Sequence, residues 1–374
     1  MKNLVLNYFW RNNYKHSPDA YLFSEEVNYQ PCSIEYEDNC IYFNMYHGIC
    51  GGCGTFLWVK TTVYEYICAN YGVHPEPGTT IMADTPVSEE EYAFPKLEGL
   101  PDDTPLGKLK KDEVWFPGLE YLFGFGNLVF SDSVHYEFQV PKKDLMKFAS
   151  ENDGSPMTVV AAIMVKALYR ALPKNKLPLR IETNHNYRAE VGCPKTHHDL
   201  LSHIFLLVPH HAQAWPINRI CTALRGSTFL QTQPEYAYET LRRFYDYTDI
   251  VDGVKGLKNK NKYASKYSHR VPDVHNSVLI NYVGREDWGG MTQYVERAHI
   301  ITDAHLLFEI LDVGENFCIS LMQMNRKTKY IDCFCQILKE ENIPYKMHGV
   351  FNNHLPISKV ESAPIAEHFK SKTN

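Results

Sequence analysis

The order of hydrophobic and polar positions along the 374 residues predicts strands and helices over most of the chain. Residues 33 to 49 contain two β-rich runs on either side of a short polar turn, which predicts a strand hairpin that ends at His47. Residues 55 to 72 place apolar side chains at helical spacing and stop at Gly72, which predicts a helix. His47 is therefore expected on a strand-to-helix turn.

More regular structure is predicted after residues 74 to 126, a stretch rich in proline, glycine and acidic residues. Because that stretch has little periodicity, we interpret it as an irregular connection or a lobe boundary. Beyond it, residues 155 to 172 predict a helix with Ser155 as N-cap and Pro156 at the first helical position. The other predicted elements are strands at 133–141, 178–188, 202–211 and 276–284, helices at 142–152, 217–231 and 330–343, and a hairpin over 308–325 that turns at 314–316. The tail beyond about residue 350 is weakly patterned.

Composition narrows the class of protein. Hydrophobic residues make up 44% of the chain, which is enough for a large core, and the net charge is -6. Without a basic surplus, nucleic acid is not expected as a partner. We see neither a signal peptide nor an apolar run that could span a membrane. The 10 cysteines are expected as reduced thiols in a cytoplasmic protein.

Two motifs offer thiol or metal chemistry. Cys50 and Cys53 form a CxxC at the predicted start of a helix, where the helix dipole lowers a thiol pKa, so a redox dithiol or half a zinc site is one interpretation. Against it, a redox dithiol normally belongs to a compact βαβ unit, whereas this one follows a hairpin. The second motif, "KTHHDLLSH", contains four possible metal ligands: His197, His198, Asp199 and His203. We favour a solvated loop that enters a strand, with no metal.

The residues around His47 resemble a known active-site motif. A strand that delivers a histidine, then "GICGG", then a helix resembles the HHxxxDG motif of the chloramphenicol acetyltransferase and condensation-domain superfamily, in this chain "YHGICGG". Downstream, "IETNHNYR" resembles that superfamily's strand that ends in an arginine, here Arg188, and "SVLINYVG" resembles its strand near the site. The resemblance covers residues 33 to 345 and is closest to stand-alone condensation or alcohol acetyltransferase-like proteins.

The resemblance implies a fold and a reaction. The implied fold is α/β: an α+β sandwich of two lobes, with mixed sheets and a central active-site tunnel. We assign residues 1–126 to the N-terminal lobe and residues 127–374 to the C-terminal lobe. The implied reaction is transfer of an acyl group from a thioester, on coenzyme A or on a carrier protein's phosphopantetheine, to an alcohol or amine. His47 is the general base, and Asn281 or Tyr282 donates to the developing oxyanion. Neither a tightly bound cofactor nor a metal is required.

The chain departs from the motif in three ways. Tyr46 replaces the first histidine, and Gly51, followed by Gly52, replaces the aspartate that pairs with the arginine in that superfamily. Glu190 or Asp199 is expected to pair with Arg188 instead, or Arg188 turns to solvent. The opening strand and helix of the first lobe are expected to be absent. These departures support the alternative of a degenerate, non-catalytic relative that binds a carrier protein or an acyl group. If the loop is an impaired version of the active one, Gly51→Asp should raise activity or melting temperature.

Overall fold

The chain forms two β-sheets with helices packed on their outer faces. A computed structural model describes residues 4–11, 30–46, 50–95, 114–117, 134–236, 238, 241–242, 251–256, 258–260, 262, 276–302, 306–323 and 328–352. The strands are β1 (Leu4–Arg11), β2 (Cys32–Glu37), β3 (Cys40–Tyr46), β4 (Val134–Pro141), β5 (Leu179–Asn186), β6 (Leu201–Val208), β7 (Val278–Tyr282), β8 (Val295–Thr302), β9 (Leu306–Val313), β10 (Asn316–Gln323) and β11 (Lys346–Asn352). The helices are α1 (Gly52–Tyr71), α2 (Lys142–Glu151), α3 (Pro156–Ala171), α4 (Ile217–Gln231) and α5 (Lys329–Glu340).

Both sheets mix parallel and antiparallel strands. The first has the order β2-β3-β1-β8, and the second has the order β11-β4-β10-β9-β7-β5-β6. In the first, β1 runs parallel to both β3 and β8, while β2 is antiparallel to β3. The predicted α/β class with mixed sheets is confirmed.

The elements with strong local signals form where the sequence predicts them. The predicted hairpin is β2 and β3, and the helix that follows is α1, which ends at Gly72 with a left-handed φ of 65°. The Ser155 hydroxyl accepts a hydrogen bond from the backbone N–H of Thr158 at 3.3 Å, with Pro156 in the first helical turn. The hairpin of β9 and β10 turns at 314 and 315 as expected.

Three strands escaped the sequence analysis. The expectation that the first lobe lacks its opening strand is wrong, because β1 lies between β3 and β8 in the middle of the first sheet. Residues 12 to 29, where a helix after β1 would fall, lie outside the described residues. The other two missed strands are β8, which reaches the first sheet from the range 127–374, and β11, at the edge of the second sheet. The proposed boundary at 126 also falls outside the described residues.

Two apolar clusters show which faces of the sheets are covered. The larger joins the second sheet to α3, α4 and α5, and the smaller joins the first sheet to α1. Side chains alternate between the faces of a strand, and β9 shows the consequence: Phe308 and Ile310 belong to the larger cluster, whereas Leu311 and Val313 belong to the smaller one. The second sheet therefore turns one face to its helices and the other to the first sheet.

A row of polar side chains crosses the face of the second sheet that looks toward the first. Asn281, Glu309, Ser320 and Glu137 are register partners on the adjacent strands β7, β9, β10 and β4, so they lie at one level. Glu309 lies two residues before Leu311 on β9, so both side chains point to the same face of the sheet. Because Leu311 packs in the smaller cluster, that face is the one toward the first sheet. We call these four residues the polar row. Buried polar side chains require hydrogen-bond partners, so the polar row marks the region between the two sheets as a candidate binding region.

One end of the polar row is a buried ionisable cluster that joins the two sheets. His299 on β8 is fully buried, with Nδ1 3.1 Å from Ser320 Oγ and Nε2 3.6 Å from Glu137 Oε2. His135 Nε2 lies 3.2 Å from the other Glu137 oxygen. Burial lowers the pKa of His299 to about 4, although Glu137 opposes the shift. Burial alone would raise the pKa of Glu137, but His299, His135 and Arg297 lower it to about 2.

These pKa shifts predict a loss of stability in acid. The unfolded chain takes up a proton on the residue 299 imidazole near pH 6.5, whereas the folded chain does so only near pH 4, so the unfolded state binds more protons between these values. The free energy of unfolding should therefore fall as pH falls from about 6.5 to 4, by on the order of 1 to 3 kcal/mol from His299. Glu137 adds to the loss below its unfolded pKa of 4.5. Urea titrations at several pH values should show that the free energy of unfolding depends less steeply on pH in His299→Gln than in the wild type. An unchanged dependence on pH would contradict the role given to His299.

Candidate active site

The predicted catalytic turn is bracketed by described residues on both sides. β3 ends at Tyr46 and α1 begins at Gly52, while His47 itself lies outside the described residues. The start of α1 packs closely on the loop that precedes β6. A Cβ built on Gly51 would lie 2.5 Å from Asp199 Oδ1, and one on Gly54 would lie 2.7 Å from the His197 carbonyl oxygen. At Gly54 a side chain would collide with the backbone of the loop before β6, whereas at Gly51 it would collide with the Asp199 carboxylate.

The two cysteines of the CxxC are hydrogen-bonded, partly buried thiols. Cys50 Sγ lies 3.0 Å from Thr55 Oγ1, and Cys53 Sγ accepts a hydrogen bond from the Asn186 amide at 3.4 Å. Burial raises the pKa of Cys50, and the Thr55 contact only partly opposes the shift. Burial also raises the pKa of Cys53, against the influence of Arg188. Because a redox dithiol depends on a lowered thiol pKa, these positions do not favour thiol chemistry.

Arg188 is buried, with 4% of its surface exposed. Its guanidinium donates to the carbonyl oxygen of Thr196 at 2.8 Å, to that of His198 at 2.5 Å and to Asn186 Oδ1 at 3.2 Å. Within the described part of the chain, no carboxylate forms an ion pair with it. Of the alternatives left open for Arg188, a turn to solvent is therefore wrong, and carbonyl oxygens compensate its charge.

The two carboxylates expected to pair with Arg188 have other contacts. Glu190 Oε1 lies 3.0 Å from His185 Nε2. Asp199 Oδ1 accepts a hydrogen bond from the backbone N–H of Leu201 at 3.3 Å, and the same oxygen fills the space beside Gly51. The carboxylate that the motif lacks at residue 51 is thus replaced in space by one from the loop before β6.

The histidines of "KTHHDLLSH" are distributed among separate partners. His197 Nε2 lies 2.9 Å from Glu91, His198 stacks on Phe94, and His203 Nδ1 lies 2.5 Å from Glu182. The contact with Glu182 raises the pKa of His203. Among the residues that the structure describes, no group of three or more His, Cys, Asp or Glu has the geometry to hold a metal.

The structure separates Asn281 from Tyr282. Successive residues on a strand point to opposite faces, so Asn281 faces the first sheet as part of the polar row, whereas Tyr282 packs against the larger apolar cluster. The Asn281 amide donates to Glu309 Oε1 at 2.8 Å. Burial raises the pKa of Glu309 to about 7, against the effect of that hydrogen bond. Burial and Asp312 raise the pKa of Tyr282 to about 12.

Lys60 is a polar feature of this region that the sequence analysis missed. It lies on α1, is fully buried, and its ammonium donates to Glu286 at 2.8 Å and to Thr79 Oγ1 at 2.6 Å. The bond to Glu286 ties α1 to the segment that links β7 to β8, and the bond to Thr79 ties it to the stretch that follows α1. A signal was available, because Lys60 occupies the same helical face as the buried Phe56 and Val63. A charge on an apolar face requires a buried partner.

Comparison with known proteins supports the fold. The structure is similar to that of F. graminearum TRI101 complexed with coenzyme A and T-2 mycotoxin, with a TM-score of 0.51 and 11% identity over 93% of this chain and 82% of that one. The complex of the same protein with coenzyme A and deoxynivalenol gives a TM-score of 0.50 and 12% identity over the same shares. A third similar structure concerns condensation domain-mediated chain release from the enacyloxin polyketide synthase, at a TM-score of 0.37 and 10% identity. This match covers 57% of the present chain and 41% of that one.

The chain therefore shares its fold with TRI101, in agreement with the α/β fold of two mixed sheets that the resemblance implies. No protein-family model and no curated protein sequence matches it. Within the described residues, no helix is both long enough and apolar enough to cross a bilayer.

Proposed function

We propose that the protein is an acyltransferase that moves an acyl group from a thioester to an alcohol or amine, with His47 as general base. The observation that carries the proposal is the position of the start of α1, which follows the segment that contains His47. The start of α1 contacts Asn186 at the end of β5 and Asp199 before β6, and these contacts support a role for His47 at the junction of the two sheets. The polar row begins on β7, the strand next to β5 in the second sheet.

The chemistry follows from a neutral imidazole at that junction. The acceptor oxygen or nitrogen attacks the thioester carbonyl while its proton passes to His47. The tetrahedral intermediate then collapses, the carbon–sulfur bond breaks, and the leaving thiolate takes the proton from His47. An ester or amide and a free thiol result, and the imidazole returns to its neutral form. No acyl group becomes attached to the protein, so Cys50 and Cys53 have no role in the step.

Asn281 is the better of the two predicted oxyanion donors. Its face looks into the space between the sheets, whereas Tyr282 packs on the opposite face. One N–H of the Asn281 amide is bonded to Glu309, which fixes the orientation of the amide and leaves the second N–H for a substrate oxygen. Asn281 Oδ1 and Asn184 Oδ1 are buried without a hydrogen-bond partner among the described residues. Such acceptors suit a substrate that carries donors, such as a hydroxyl or amine.

The co-substrate in this proposal is acyl-CoA, with a phosphopantetheine-bound acyl group on an acyl or peptidyl carrier protein as the alternative donor. The acceptor is a small-molecule alcohol or amine. TRI101 was crystallised with coenzyme A and with T-2 mycotoxin, and the shared fold makes a thioester of coenzyme A the first donor to test.

The proposal predicts acceptor-dependent turnover. The protein would be incubated with acyl-CoA thioesters of increasing chain length, or with an acyl-loaded carrier protein, and with a mixture of alcohols and amines. Because the 10 cysteines of the chain would consume a thiol reagent, the acylated product should be followed by mass spectrometry. We expect product with at least one donor class. Binding of coenzyme A or carrier protein without product from any donor would support a non-catalytic relative instead.

A further inference from the structure

The start of α1 lacks the negative charge that a long helix normally gains from its own first turn. This helix has 20 residues, its N-cap is Gly51, no side chain caps it, and no acidic residue lies in its first turn. The exposed N–H groups of a helix N-terminus carry a partial positive charge, which a nearby carboxylate stabilises. In this chain the carboxylate has to come from another part of the fold.

Asp199 lies where that carboxylate is needed. Its Oδ1 would be 2.5 Å, and its Cγ 2.9 Å, from a Cβ on Gly51, so the carboxylate occupies the volume that an aspartate side chain at residue 51 would fill. Burial is the main cause of the raised pKa of Cys50, and the nearby charge of Asp199 adds to the shift. Asp199 is held in turn by the backbone N–H of Leu201, the first residue of β6.

We propose that Asp199 is a positioning residue that supplies, from the loop before β6, the carboxylate that Gly51 lacks. It steadies the start of α1 and with it the adjoining segment that contains His47. The inference rests on the proposed function for its catalytic consequence. Its structural consequence is that the effect of a substitution at residue 51 on stability depends on the side chain at residue 199, and this consequence rests on the contact alone. Gly51 is then an adaptation to Asp199, and the loop is not an impaired version of the motif.

The arrangement reverses the effect expected for Gly51→Asp from the sequence. With Asp199 in place, a second carboxylate at residue 51 has no room and meets a like charge. Gly51→Asp should therefore lower the melting temperature and the activity. The swapped variant, Gly51→Asp with Asp199→Gly, should recover both, because it restores one carboxylate in the same volume.

The test is a double-mutant cycle with two readouts, made on the full chain. The single variants Gly51→Asp and Asp199→Gly and the swapped variant are compared for melting temperature and for kcat and KM. Asp199→Asn keeps the shape and removes the charge, and it should lower kcat by about 5- to 30-fold with little change in KM. Asp199→Glu, which keeps the charge, should recover part of that loss. Glu190→Gln, a nearby carboxylate that contacts His185 instead, is the matched control and should leave kcat unchanged.

Additive effects on melting temperature across the cycle would overturn the contact and the proposal with it, whether or not the protein has activity. Recovery of stability by the swapped variant, together with wild-type kcat in Asp199→Asn, would overturn the positioning role while leaving the acyltransferase proposal intact. A complete lack of turnover in the wild-type protein, with a stability cycle that shows coupling, would instead count against the proposed function.

Discussion

Replacing Arg188 with methionine is expected to destabilise the fold by about 3 to 5 kcal/mol. The guanidinium is buried and donates to two carbonyl oxygens of the loop before β6 and to the Asn186 side chain. Methionine has a similar length but no donor, so these three acceptors lose their partner, and the Thr196 carbonyl oxygen loses it in a buried position. A buried acceptor without a partner costs about 1 to 3 kcal/mol. Chemical denaturation would measure the change in the free energy of unfolding.

A second variant, Arg188→Lys, separates the contribution of the positive charge from that of the donor geometry. Arg188→Lys keeps the positive charge but replaces a planar fork of donors with a single ammonium, so it cannot satisfy all the acceptors at their present directions. We expect a loss intermediate between wild type and Arg188→Met. Arg225→Met is a matched control, since that exposed arginine pairs with Asp153 on the surface and should change stability by about 1 kcal/mol or less. A loss below 1 kcal/mol in Arg188→Met would contradict the role of Arg188 in holding the loop.

Local signals in the sequence predicted the elements beside the site well. The cap at Ser155 and the glycine that ends α1 act within a few residues, so their outcome is visible without knowledge of the fold. β8 was missed for the opposite reason. One face of this strand presents His299 and Arg297 to the other sheet, and polar side chains in a buried layer hide the alternation that marks a strand.

The replacement of the missing carboxylate at residue 51 by Asp199 could not be predicted from the sequence alone. Gly51 and Asp199 are distant in sequence and meet only because the loop before β6 folds onto the start of α1. The sequence analysis named Asp199 as a candidate partner for Arg188, but the structure places it beside Gly51 and gives Arg188 carbonyl acceptors. The choice between these contacts depends on the packing of two sheets. A pattern within a single element carries no information about it.

His47→Ala is expected to lower acceptor-dependent acyl transfer by about 10²- to 10⁴-fold, because the acceptor then loses the group that takes its proton. The fold should be unaffected, since the two elements that flank residue 47 are held by their own contacts: β3 by the first sheet and α1 by the smaller apolar cluster. His47→Gln is a useful second variant, because it keeps polar atoms at the position without a group that can accept a proton near neutral pH. His74→Ala, which changes an exposed histidine after α1, is the matched control and should leave the rate unchanged.

The most direct test of the account is the rate of acylated-acceptor formation by the wild-type protein and by His47→Ala, measured side by side by mass spectrometry. The two proteins should first be shown to have the same melting temperature. The account predicts product from the wild type and from His74→Ala, and a rate near the uncatalysed background from His47→Ala. Wild-type rates in a folded His47→Ala variant would contradict it.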